Sequence, residues 1–110
     1  MILDAGTRLG PYVPTATFGR IHARRGDRKQ AHEAIVRLRA LPYPPSFDIA
    51  KVHAELRERG PAIEWLQKAE AEQNSAVLSV NVDRTFTWLR GDRDFKALLD
   101  RLNLRSPPAP

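Results

Sequence analysis

The sequence predicts an all-α fold built from short helical hairpins. Three observations carry this. Apolar residues recur at helical spacing in several separate runs. Glycines and prolines fall between those runs, at Gly26–Asp27, Leu41–Pro45 and Gly60–Pro61. A set of small and large apolar positions repeats after 31 residues, so that Gly19 falls on Ala50 and Ile35 on Leu66.

Taken in order, Met1 to Val13 shows no firm periodicity and reads as an irregular lead-in. Pro14 and Thr15 open a first helix to about Arg25, with Phe18, Ile21 and His22 expected on its inner face. Gly26–Asp27 makes a turn. A second helix follows over roughly Arg28 to Leu41, with Ala31, Ala34, Ile35 and Leu38 facing in. The prolines of Leu41–Pro45 break it, and Tyr43 is expected to pack between hairpins.

The next hairpin, Ser46 to Gln73, organises the rest. Ser46 has the chemistry of an N-cap. Ile49, Val52, His53 and Leu56 form one stripe, and Ala62, Ile63, Trp65, Leu66 and Ala69 the facing one. Gly60 suits the close of the first helix and Pro61 the opening of the next. Small residues at Ala50, Ala62 and Ala69 allow close approach. Gln73–Val80 reads as an apolar loop or a short strand. Asp83 caps a short helix over Arg84 to Leu89, which Gly91 ends. Asp92 caps a last helix carrying Phe95, Leu98, Leu99 and Leu102. Residues 105–110, rich in proline, read as a disordered tail, which leaves residues 14–104 as the folded domain.

The 31-residue offset also superposes His22 on His53, Ala23 on Ala54, Ala31 on Ala62 and Leu38 on Ala69. This order of small and large positions resembles the tetratricopeptide repeat. It is most similar to the degenerate repeats at the C-terminal ends of bacterial multidomain signalling and transcriptional regulators. The resemblance spans roughly Pro14 to Leu104 and implies a short right-handed solenoid of about two repeats plus a C-terminal capping pair. It departs from the family in three ways. The period is 31 residues rather than about 34. Histidine replaces the expected aromatic residue in both repeats. Arg57 stands where the second turn would carry glycine.

Composition bounds the function classes. The 110 residues make one domain, with 42% hydrophobic content ordinary for a globular chain. No apolar run approaches the length of a membrane span, and MILDAGTRLG lacks the pattern of a secretory signal. Zero cysteines exclude disulfides and thiol chemistry, and a cytoplasmic location is expected. The net charge is +5, carried by fourteen arginines and four lysines. Such a balance suits an acidic partner or simply a solvated surface. The bases are interleaved with acids along the whole chain, which argues against a dedicated nucleic-acid arm.

Catalytic signals are missing. His22, His32 and His53 come with no paired-ligand spacing, so packing explains them better than metal binding. Ser46, Ser75, Ser79 and Ser106 fall at a cap, in loops or in the tail. Asp92 and Asp94 flank Arg93 at a helix start, where capping accounts for them. The scattered glycines form no phosphate loop. No enzyme activity, metal or cofactor is expected. Trp65 and Trp88 suit either an interface anchor or the core, and the core is the commoner place.

In the family that the chain resembles, the first helix of each hairpin lines a concave groove. Carried over position by position, that row comprises Arg20, Ala23 and Arg24, then Phe47, Lys51, Ala54 and Glu55. Its implied partner-binding residues are Arg20, Arg24, Phe47, Lys51 and Glu55, a mostly basic surface suited to an acidic peptide or protein segment. The expected function is a non-catalytic protein–protein interaction module; the alternative is a basic helical nucleic-acid-binding domain. Few repeats leave solenoid ends uncovered, so either a larger context or a homo-oligomer is also expected.

Overall fold

The computed structural model describes residues 12–104, with side chains from Pro14. Five α-helices are present: α1 (Tyr12–Arg24), α2 (Arg28–Arg39), α3 (Ser46–Glu55), α4 (Arg59–Ala71) and α5 (Arg93–Arg101). Two 3₁₀ helices, Ser75–Ser79 and Arg84–Leu89, connect α4 to α5. No strand occurs among the described residues, so the segment after Gln73 resolves into a 3₁₀ helix with Val77 and Val80 buried. The lead-in is shorter than expected, because Tyr12 and Val13 already belong to α1. Residues 1–11 and the tail from Arg105 lie outside the described residues.

α1 pairs with α2, α3 pairs with α4, and α1 lies against α3. The first two hairpins close with the same backbone device. Gly26 and Arg57, 31 positions apart, adopt left-handed φ values of 80° and 61°. In each turn the following residue's N–H returns to the helix: Asp27 N–H donates to the His22 carbonyl at 2.9 Å and Glu58 N–H to the His53 carbonyl at 3.0 Å. This is the Schellman closure, which satisfies carbonyls orphaned at a helix C-terminus. Gln73 and Asn103 end α4 and α5 similarly, with φ of 56° and 59°.

Two expected caps move. Gly60 does not end α3; Arg57 does, and Gly60 and Pro61 lie in the first turn of α4, where a missing proline N–H costs nothing. Ser46 is already helical, with Pro45 in the capping position. Its fully buried hydroxyl donates instead to Glu72 at 2.7 Å, tying α3 to the end of α4. Asp83 and Asp92 do cap, accepting from Thr85 N–H and from both Asp94 and Phe95 N–H, and Asp27, expected only as part of a turn, also caps by accepting from Gln30 N–H.

The interior has two apolar clusters. One lies between the two hairpins and holds Ala23, Ile35, Leu38, Ile49, Val52 and Leu56. The other joins α3 and α4 to the C-terminal elements around Leu66, Phe86, Phe95 and Leu98. Trp65 packs against both. Gly19 is where α1 comes closest to its neighbours. A Cβ there would sit 2.9 Å from Ala34 Cβ and 3.4 Å from Val52, so only glycine permits this contact.

Candidate functional site

Two charged rows and one apolar face organise the surface. The first is a carboxylate–imidazole bridge over each hairpin turn. His22 Nδ1 lies 3.1 Å from Asp27 Oδ2, and His53 Nδ1 lies 2.7 Å from Glu58 Oε1. His53 also approaches His32, with ring centroids 6.5 Å apart. His22 stacks on Phe18 at 4.2 Å. In both hairpins the histidine thus braces the turn.

Glu58 goes further than Asp27, because it also binds the preceding hairpin. Its Oε2 accepts from Arg28 at 2.7 Å and from His32 Nε2 at 2.8 Å. Burial works to raise this carboxyl, but the bonds from His53 and His32 outweigh it and hold the group below the ordinary 4.5. Burial likewise lowers His53 from the ordinary 6.5, only partly opposed by Glu58. Arg59, the residue that opens α4, repeats the role of Arg28. It bonds Asp92, the cap of α5, and Asp94 at 2.6 Å. The arginines that open α2 and α4 therefore reach the carboxylates at the starts of α4 and α5. Arg101 adds a two-oxygen clamp on Glu70 at 2.8–3.1 Å.

The second row runs along α1, α3 and the second 3₁₀ helix, where the resemblance placed a groove. Of its five predicted contact residues, Phe47 is not at the surface. It is 6% exposed and packs on Phe86 at 5.7 Å. Ala23 and Ala54 are buried as well. Arg24 is exposed but bonds Glu55, whose side chain is largely covered. Lys51 lies 3.3 Å from Asp83, and Arg20 reaches Thr85 at 3.5 Å with its Nε–H buried and unpartnered. Asp48 stands near Arg20 and Lys51; burial raises its carboxyl against both cations. The three cations of this row face three carboxylates, so the row is close to neutral rather than basic.

The third feature was missed by sequence reasoning. Phe18 and Ile21, expected inside, are 48% and 45% exposed. Their equivalents by the 31-residue offset, Ile49 and Val52, are fully buried beneath the first hairpin. The outer face of the first hairpin is therefore the same kind of face, with no described element packed on it. Beside it lies a cleft of about 290 Å³ bounded by Phe18, Ala34, Glu33 and Arg37. On the second hairpin Trp65 stands in place of Ala34, with Lys68 stacked 4.7 Å over its ring. The signal was in the sequence only as an apolar stripe like that of Ile49 and Val52, and among the described residues no element covers it. Tyr43, expected in a groove, is 92% exposed.

Among the described residues no three potential ligands converge as a metal site, and no helix is long and apolar enough to cross a membrane. Comparison with protein-family models, curated proteins and solved structures gives no match.

Proposed function

We propose that the chain is a non-catalytic protein–protein interaction module, a short tetratricopeptide-like solenoid of two hairpins with a C-terminal cap. The observation that carries this reading is the outer face of the first hairpin. Phe18 and Ile21 occupy stacking positions yet stand half exposed, and large apolar side chains beside a cleft are the usual anchors of protein interfaces. The repeated turn geometry and the arginine-to-carboxylate ties between hairpins support the stacked architecture. The row of Arg20, Arg24 and Lys51 is a weaker candidate for the partner, because its cations are matched by carboxylates within the chain. The same pairing gives the nucleic-acid alternative little support.

The test is selection of binders from an unbiased peptide display library against the whole chain. Selected peptides are then measured against Phe18→Asp, with Arg20→Glu and Lys51→Glu as controls. Loss of about tenfold in affinity with Phe18→Asp alone is expected. Loss confined to Arg20→Glu and Lys51→Glu would move the site to the second row. Failure to enrich any peptide would defeat the interaction reading.

A further inference from the structure

We infer that the outer face of the first hairpin docks a second copy of this chain, end to end about a two-fold axis. This rests on reading that face as an interaction surface and names its occupant. A two-fold interface must be complementary to itself, with each feature meeting its counterpart from the other copy. This face satisfies that requirement in shape and in charge. Phe18 and Ile21 raise an apolar ridge along α1, and the Ala34 cleft runs beside it as a groove. A half-turn of the partner sets each ridge into the other's groove. The cleft rim carries one acid and one base, Glu33 and Arg37, so each copy offers both partners of an intermolecular ion pair.

The rest of the molecule favours a closed dimer over an open chain of copies. α5 turns Phe95, Leu98 and Leu99 inward and shows solvent the polar residues Lys96, Asp100 and Arg101. α5 therefore offers the ridge no large apolar side chain, and the exposed apolar residues of the C-terminal elements, Leu78 and Val82, lie before it in the segment that connects α4 to α5. The footprint also sets the strength. Two helices of about 20 Å by 10 Å each give roughly 400 Å² per copy. That is about half of a standard interface, so the dimer is weak and reversible.

Sedimentation equilibrium of the whole chain across a wide concentration range tests this. A reversible monomer–dimer equilibrium is expected, with Phe18→Asp or Ile21→Asp weakening it at least about tenfold. Both side chains are half exposed, and circular dichroism checks that the variants stay folded. Glu33→Arg and Arg37→Glu should each weaken the dimer, and the double exchange should restore it. A monomer at about 1 mM, open-ended assemblies, or a dimer indifferent to all four substitutions would overturn the inference. A strict monomer that still binds display-selected peptides through Phe18 would refute the second copy and leave the interaction reading standing. A strict monomer that binds none would remove both.

Discussion

Arg57 holds its backbone at φ 61° although it carries a side chain, and Gln73 does the same at φ 56°. Left-handed backbone costs a non-glycine residue roughly 1–2 kcal/mol. Gln73→Gly should therefore raise stability by about 1 kcal/mol in urea unfolding. Arg57→Gly should gain less, because the guanidinium lies 5.2 Å over the Trp88 ring and that contact, worth roughly 0.5–1 kcal/mol, is lost. Equal gains at both positions would show that the ring contact contributes nothing. Glu58 and Asp27 make a second pair. Glu58→Gln removes the charged acceptor of His53, His32 and Arg28 and should destabilise by about 1–3 kcal/mol. Asp27→Asn keeps its cap and has no bond to another hairpin, so it should change stability by less than about 0.5 kcal/mol.

At the scale of elements, the two hairpins are held together where α1 meets α2 and α3 at Gly19. A Cβ at this point meets backbone-anchored neighbours, Ala34 Cβ and Val52, which have nowhere to retreat. Gly19→Ala should cost about 1–3 kcal/mol by overpacking. Gly60→Ala is the control: nothing lies within 4 Å of a Cβ there, the residue is helical, and a gain of up to about 0.5 kcal/mol is expected. A neutral Gly19→Ala would mean that α1 slides freely on its neighbours. Helix positions were largely legible at this scale, because buried stripes such as Ala31–Leu38 and Phe95–Leu99 follow the helical period directly. The ends were less so. Whether a chain turns at Arg57 or at Gly60 depends on which residue takes the left-handed backbone, and packing placed an arginine there over Trp88.

For the molecule as a whole, acid sensitivity follows from the Glu58 cluster. His53 titrates below 6.5 in the folded chain, so above that pH the imidazole is neutral whether the chain is folded or not. As pH falls below 6.5 the unfolded chain takes up a proton that the folded one resists, and stability drops. Glu58, held below 4.5, adds a second loss as pH falls through that range. Asp48 has the opposite sign: raised above 3.8, it destabilises the fold at neutral pH and ceases to do so in acid. Asp83 and Asp92, held below 3.8, add losses of the same sign as Glu58 in stronger acid, so His53 is the group that acts first on the approach from neutrality. Urea midpoints should be lower at about pH 5.5 than at about pH 7.5, and His53→Phe should flatten that first fall. An unchanged midpoint between those two pH values would rule out His53 as the titrating group.

The all-helical class, the hairpin periods, the caps at Asp83 and Asp92 and most of the core were determined by the sequence itself. Each depends on spacing and on side-chain chemistry acting within a few residues. Tertiary structure alone decided which stripes are covered. Phe18 and Ile21 have the same local pattern as Ile49 and Val52, and what separates the exposed face from the buried one is whether a described element packs on it. It also decided the electrostatics. The row of Arg20, Arg24 and Lys51 reads as basic along the chain, but Glu55, Asp83 and Asp48 come beside it only when α1, α3 and the second 3₁₀ helix are packed together. Charges act through space, and their distances are set by the fold.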